Sequence, residues 1–186
     1  MKVVLPQIFI SPGHNFFGRT GQPAGDHPTH EVATIKCRAG WGIEGDRFYG
    51  YRPDYKGQIT FFAAEVFEAL KAEFRQPELS AGVLRRNVLI GGADLTALIG
   101  ARFSIGEVEF EGTGEARPCH WMNQAVASGA EDWLKGRGGL RARVVSGGVL
   151  RTGAAELLLL DEGLQPHRAA GLVGERAVEL RLKSGV

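Results

Sequence analysis

Cysteine is scarce in this sequence. The 186 residues include only two cysteines, Cys37 and Cys119, which stand 82 positions apart. Two thiols at that spacing form neither a disulfide framework nor the paired ligand spacing of a zinc site. A chain of this length can bury about 70% of its unfolded surface, so its core does not require a disulfide. A reducing, cytoplasmic compartment is therefore the simplest expectation.

Long hydrophobic runs and an excess of one charge are also missing. No stretch of the sequence reaches the roughly 18 consecutive apolar residues of a membrane-spanning helix. The chain carries 22 basic and 21 acidic residues, which gives a formal net charge of +1. Because this balance creates no strong electrostatic field, neither nucleic acid nor an anionic membrane is an expected partner.

Glycine and short β-branched or aromatic runs are abundant instead. Twenty-seven glycines separate the apolar segments, a pattern typical of short strands joined by turns. Alternation in EVATIKC places Ile35 and Cys37 on one apolar face, which predicts that Cys37 is a buried structural residue. We predict strands around VVLPQIFIS, HEVATIKCRAG, GQITFFA, NVLIGG, ARFSIGEVEFEGTGEA, LRARVVSGGVL and AAELLLLDE. Within these, RARVVSGGVLRTG predicts a hairpin that turns at Gly147-Gly148.

Helical spacing is limited to two segments. AAEVFEALKAEF predicts one packing helix, and MNQAVASGAEDWLKG predicts a second helix over residues 122–136, directly after Cys119. Strands and long helices do not alternate, so a doubly wound parallel sheet is disfavoured. We expect a mostly β, barrel-like fold of curled antiparallel or mixed strands with one or two packed helices.

A single domain is expected over residues 1–186. Its core would span about 32–160, and residues 161–186 would form a C-terminal extension. Residues 11–31 form a polar, Gly- and Pro-rich loop that could lie over a site, because loops of this length in compact domains are often functional. His27-x-x-His30 within this loop is also a weak metal-binding hypothesis.

Two segments bring arginine next to residues that can shape a cleft. In GIEGDRFYG the glycines permit a sharp turn that could aim Asp46 and Arg47 into a cleft, or the segment is a turn with a local Asp–Arg pair. In LRRNVLIGG, Arg85, Arg86 and Asn87 directly precede an apolar strand. Arginine binds phosphate and carboxylate in a bidentate manner, although a solvated basic turn is the alternative. Arg137 and Arg141 are further arginines that could face the cleft.

Cys119 lies in the segment ARPCHW, between a predicted strand and a predicted helix. Pro118 fixes its own φ angle and removes a backbone donor. If Cys119 lies near the start of the helix, the positive end of the helix dipole and a nearby Arg117 or His120 would favour a thiolate. A thiolate can carry sulfur or bind a soft metal. Alternatively, Cys119 packs in the core under Trp121 and Met122. Local sequence leaves both possibilities open.

The ordered motifs GIEGDR, GQIT, RRNVLIGGADL, LIGARFSIGEVEFEG, RPC and GLRARVVSGG together resemble the MOSC domain, named for the carboxyl-terminal domain of molybdenum-cofactor sulfurases. The resemblance covers roughly residues 32–160 and is greatest to short, stand-alone bacterial members. It implies a strand-rich, barrel-like fold and a reactive thiol at Cys119 that transfers sulfur or contacts molybdenum. It also implies a pocket for a pterin phosphate or other anion. The candidate cofactor-binding residues are Arg47, Arg86, Asn87, Arg117 and His120.

The resemblance implies a molybdenum-cofactor-binding or sulfur-carrier protein. Cys119 would accept sulfane sulfur as a persulfide and deliver it to a cofactor or metal centre, a sulfurtransferase-type activity with molybdopterin bound transiently. The chain has no room for a pyridoxal-phosphate-dependent desulfurase domain, so the sulfur donor would be a separate partner such as a cysteine desulfurase. One alternative is a non-catalytic pterin- or anion-binding module with Cys119 as metal ligand. Another, less supported, is a molybdenum-dependent reductase of N-hydroxylated substrates.

Overall fold

A computed structural model describes residues 1–15, 25–53 and 55–160 of the chain. The predicted C-terminal extension at 161–186 and the middle of the 11–31 loop lie outside the described residues. Within the described ranges, every helix is too short or too polar to cross a membrane.

The described chain contains eleven strands, three α-helices and one 3-10 helix. The helices are α1 (Ala64–Glu73), α2 (Trp121–Ala125) and α3 (Ala130–Trp133), and the 3-10 helix is Ala81–Leu84. The strands are β1 (Lys2–Ile10), β2 (His30–Val32), β3 (Thr34–Arg38), β4 (Gly42–Ile43), β5 (Ile59–Ala63), β6 (Val88–Gly91), β7 (Arg102–Ile105), β8 (Val108–Glu115), β9 (Leu140–Ser146), β10 (Gly148–Arg151) and β11 (Gly153–Leu160).

Seven of these strands close into a barrel. Their order is β11-β7-β8-β9-β5-β6-β1, and β1 pairs with β11 to complete the ring. The β5–β6 pair is parallel, whereas the other barrel pairs are antiparallel. Strand β2 extends the sheet beside β1, and β10, β3 and β4 form a small second sheet. The predicted mostly β, barrel-like fold with few helices is confirmed.

Two apolar clusters lie on opposite sides of the barrel wall. Phe61, Phe103 and Phe110 pack edge-on or tilted in the interior, with ring centroids 5.3–5.9 Å apart. The next residue on β5, Phe62, belongs to an outer cluster beneath α1 and the helices that follow Cys119. Because successive side chains of a strand point to opposite faces, a continuous apolar run such as ITFFA is the sequence of a strand buried on both sides. The outer cluster thereby attaches the Cys119 segment to the barrel.

Cys37 is a structural residue, as the alternation in its strand predicts. Ile35 and Cys37 are the two buried residues of β3, and Cys37 is 3% exposed. Burial raises the pKa of the Cys37 thiol to about 12, so this thiol stays protonated and unreactive near neutral pH.

Two local predictions are wrong. Strands β9 and β10 do not form a hairpin: β9 pairs with β5 and β8 in the barrel, whereas β10 pairs with β3 in the second sheet. The turn between them therefore passes the chain from one sheet to the other. The helix predicted over 122–136 is instead two short helices, because Gly129 between them has a φ of 89°, outside the helical region.

Gly112 marks a close backbone approach that the barrel requires. A Cβ at this position would lie 1.9 Å from the carbonyl oxygen of Leu98. We expect Gly112→Ala to lower the free energy of unfolding by about 2–3 kcal/mol, because backbone must move to admit the methyl group. Gly57→Ala is the control, since its Cβ would meet the Tyr55 ring at an ordinary 3.4 Å. Urea unfolding of both variants measures the difference, and equal losses would contradict the close approach.

Candidate functional site

Cys119 lies on the wall of a cleft beside the barrel. It is half-buried in the segment between β8 and α2, and it lines a cavity of about 210 Å³. Met122, one turn along, is buried in the outer apolar cluster. The core-packing alternative therefore describes Met122, which is 2% exposed, and not Cys119, which is only half-buried at the cavity.

Positive charge dominates the cleft. Three of the predicted ligand-binding residues line it: Arg47, Arg86 and the exposed Arg117. Arg85 and Arg141 add two more guanidinium groups. Arg85 and Arg86 are both close enough to Cys119 to interact with it electrostatically. Five cations around one cysteine make the cleft suitable for an anionic ligand.

The GIEGDRFYG segment places Arg47 in this cleft and Asp46 beneath it. The Asp46 carboxylate is buried and accepts hydrogen bonds from the backbone N–H groups of Ser11 (3.1 Å) and Phe48 (3.2 Å). Arg47 is 3.5 Å from Asp46, donates to the carbonyl oxygen of Arg85 at 3.1 Å, and lies over the Phe48 ring. Burial lowers the pKa of Arg47, although the nearby Asp46 opposes this effect. Both sequence interpretations apply, because the local Asp–Arg pair is also what points Arg47 into the cleft.

Asn87 supports the cleft from below instead of lining it. Its side-chain oxygen accepts from the backbone N–H and the hydroxyl of Thr60, at 3.0 and 2.8 Å. Its side-chain nitrogen donates to the carbonyl oxygen of Phe9 and to Asp46. With 2% exposure and its amide engaged at both ends, Asn87 has no geometry for direct ligand contact, so we reassign it from ligand binding to support.

Arg85 lines the cleft as well, although it is not among the candidate cofactor-binding residues predicted from the sequence. Its backbone has a φ of 57°, a strained value for a residue other than glycine. Its Nη2 donates to the carbonyl oxygen of Gly13 at 3.0 Å, while its Nη1 is buried and has no hydrogen-bond partner in the described chain. Burial, reinforced by Arg47, lowers the pKa of Arg85 to about 10. An anion in the cleft would satisfy both the orphaned N–H groups and the charge.

His120 and Arg137 lie elsewhere. The His120 imidazole is 3.8 Å from the Glu131 carboxylate and is not among the residues that line the cleft. Arg137 packs over the Trp133 ring, 4.6 Å from its centroid. Arg141 does line the cleft.

The cleft also has aromatic walls, which sequence reasoning missed because the rings come from separate segments. Phe48 and Tyr55 form one wall, with ring centroids 4.9 Å apart, and Trp121 lies on another. His14 packs edge-on against Phe48. Its pKa is lowered by burial and then by Arg47 and Arg85, so His14 contributes a neutral imidazole at pH 7.

No three His, Cys, Asp or Glu side chains among residues 1–15, 25–53 and 55–160 converge on a metal site. The described part of the chain therefore does not support a His27–His30 metal site. A metal bound in the cleft would have Cys119 as a protein ligand and would need non-protein ligands besides.

Comparisons with known proteins give one family by sequence and several chains with a similar fold. A sequence model of the MOSC domain matches residues 44–155. The chain is similar to the solved structure of YUAD protein from Bacillus subtilis, with a TM-score of 0.66 and 20% identity over 84% of this chain and 96% of that one. YiiM from Geobacillus stearothermophilus gives a TM-score of 0.63 and 17% identity, over 88% and 77% of the two chains. A comparison with curated protein sequences gives no match. At these identities the structural likeness shows a shared fold.

The two cysteines should differ sharply in reactivity. We expect iodoacetamide to modify Cys119 in the native protein at pH 7.5 about a hundredfold or more faster than Cys37, because only Cys119 is accessible and flanked by cations. Peptide mass spectrometry after timed quenching measures both rates. The unfolded chain is the control, in which the two rates should converge. A native Cys119 that reacts no faster than in the unfolded chain would contradict an activated thiol.

Proposed function

Because the chain belongs to the MOSC domain family, which is linked to molybdenum-cofactor function, we propose that it is a molybdenum-cofactor-binding or sulfur-carrier protein with Cys119 as its reactive residue. The observation that carries the proposal is the position of Cys119, which lines a cleft together with five arginines. A soft nucleophile surrounded by cations suits an anionic ligand that has a soft centre.

The residues of the cleft fit such a cofactor. The orphaned Nη1 of Arg85 and the guanidinium of Arg47 would hold its phosphate, and the Cys119 sulfur would contact its metal. When bound, the molybdenum cofactor would supply a metal that accepts soft sulfur ligands. The cavity of about 210 Å³ is smaller than the roughly 300–1,000 Å³ of drug-sized ligand sites. The cleft would thus grip the charged and metal-bearing parts of a larger molecule.

Sulfur transfer requires only a thiolate and a donor persulfide. The Cys119 thiolate would attack the outer sulfur of a donor persulfide, the donor S–S bond would break, and the donor thiolate would leave. Cys119 then carries the sulfane sulfur. An acceptor nucleophile that attacks this terminal sulfur would release the Cys119 thiolate again. The cationic side chains of the cleft would stabilise each sulfur anion along this route. A cysteine desulfurase is a suitable donor of the persulfide.

A second candidate is a module that holds the cofactor without transferring sulfur. The observation that favours it is the number of arginines, since charge-assisted hydrogen bonds from Arg47 and Arg85 would retain an anion whatever the role of Cys119. In this case Cys119 would serve as metal ligand only.

Persulfide loading tests the carrier role. The reduced protein is incubated with a cysteine desulfurase and free cysteine, trapped with an alkylating reagent, and digested for mass spectrometry. We expect one added sulfur atom on Cys119, no loading of Cys119→Ser, and unchanged loading of the control Cys37→Ser. Loading confined to Cys37, or absent from both cysteines, would contradict sulfur carriage.

Metal analysis tests the holding role. The protein is expressed with molybdate, purified, and analysed for molybdenum and for pterin fluorescence. If the protein holds the cofactor, we expect Cys119→Ser to lose molybdenum. We expect Arg85→Met to retain about tenfold less pterin, since hydrogen bonds to charged groups contribute about 1.5–3 kcal/mol. Arg102→Met, an exposed barrel arginine, is the control. Persulfide loading without bound molybdenum favours the carrier, and bound molybdenum without persulfide loading favours the holding module. A protein that shows no loading and no bound molybdenum contradicts both roles.

A further inference from the structure

Arg86 is surrounded by backbone carbonyl groups. Its Nε donates to Gly138 at 3.0 Å, its Nη1 to Leu84 at 3.2 Å, and its Nη2 to Ala116 at 2.6 Å. A longer contact of 3.5 Å joins Nη2 to the carbonyl oxygen of Arg117. Over the described residues, no carboxylate lies within ion-pair distance of this guanidinium. Arg86 therefore has no direct ion-pair partner in this part of the chain, and Glu115 interacts with its charge only at longer range.

Apart from that of Leu84, the carbonyl groups that Arg86 binds belong to the segment that leads to Cys119 and to the segment that packs against it. The Ala116 N–H donates to the carbonyl oxygen of Gly139 at 2.8 Å, and the Gly138 N–H donates to Glu115 at 3.2 Å. A Cβ on Gly138 would lie 2.5 Å from the Ala116 oxygen and 2.8 Å from Pro118. The two segments are therefore in direct backbone contact, and Arg86 spans them.

Few side chains other than arginine can make this connection. Pro118 has no N–H of its own, so the segment before Cys119 has fewer backbone N–H donors than carbonyl acceptors. A guanidinium offers five N–H donors in a rigid plane and reaches acceptors on two sides, whereas the lysine ammonium is a point charge. The positive charge of Arg86 acts on Cys119, whose electrostatic interaction with this guanidinium is larger than that of Glu115.

We propose that Arg86 is a positioning residue: it clamps the Ala116–Cys119 segment against Gly138 and holds a fixed positive charge near Cys119. The inference rests on the proposed function, in which the Cys119 sulfur becomes anionic. It also changes the role of Arg86 from the ligand-binding role that the sequence suggested, because backbone carbonyls engage at least one N–H on each of its three nitrogens.

Two measurements on the full-length protein separate the clamp from the charge. Hydrogen exchange of peptides covering 114–122 and 136–140 reports the clamp. The ratio of Cys119 alkylation rates with iodoacetate and iodoacetamide reports the charge, because only the first reagent is an anion. Arg86→Lys loses the planar donors, so hydrogen exchange in both peptides should rise about tenfold. Because Arg86→Lys keeps the charge, the ratio of alkylation rates should stay within about twofold of wild type. Arg86→Gln and Arg86→Met should raise exchange and lower the ratio about fivefold.

Arg143→Met is the matched control, since Arg143 is a half-buried arginine on β9 that pairs with Glu111. It should leave exchange at 114–122 and 136–140, and the Cys119 rate ratio, unchanged. Wild-type exchange in Arg86→Lys, or a wild-type ratio in a folded neutral variant, overturns the proposal. If both neutral variants fail to fold, exchange in Arg86→Lys decides alone. Neither reagent needs a sulfur donor or cofactor, so a wild-type protein that neither loads a persulfide nor retains molybdenum yet shows these effects refutes the proposed function and leaves the role of Arg86 intact.

Discussion

The candidate site depends on one buried carboxylate. Asp46 accepts hydrogen bonds from the chain just after β1, from its own loop at Phe48, and from Asn87 just before β6. Three segments that are distant in sequence thereby converge on a single pair of oxygen atoms. Because an unpaired buried carboxylate is costly, these partners fix the loop in one conformation. Arg47 and Arg85 leave the backbone at defined points as a result, and both reach the cleft.

A cluster of arginines with so little neutralising charge is not arranged for stability. Burial lowers the pKa of both Arg85 and Arg86 to about 10, which means that the folded state disfavours their charged forms relative to water. Asp46 faces Arg47 from below, and Arg85 keeps a strained backbone and an unsatisfied N–H. Such costs concentrate where a protein is organised to bind. The cleft therefore has the character of a ligand site in which a bound anion would supply the missing charge.

Sequence patterns predict those features that depend on neighbouring residues. Alternation in EVATIKC correctly predicts a buried Cys37, and the many short apolar runs correctly predict a mostly β barrel. Features that depend on distant partners are harder to predict. The side chain of Asn87 could be a ligand donor or an internal brace, and only its contacts with Phe9, Asp46 and Thr60 distinguish these roles. Strand β10 could not be paired correctly for the same reason, since its partner β3 lies more than 100 residues earlier. Phe48, Tyr55 and Trp121 share no local motif.

The parallel pairing of β5 and β6 has a consequence for how such a protein can diverge. A parallel pair needs a crossover, and here residues 64–87 leave β5 at one end of the barrel and return to the other. Both strands therefore begin at the cleft end, where Thr60 and Asn87 fasten them together. The first part of this crossover, which contains α1 and precedes the 3-10 helix, can gain or lose residues without altering the register of either strand or the arginines before β6. Chains of different length can in this way present the same cleft, with the variation confined to the outer surface of the barrel.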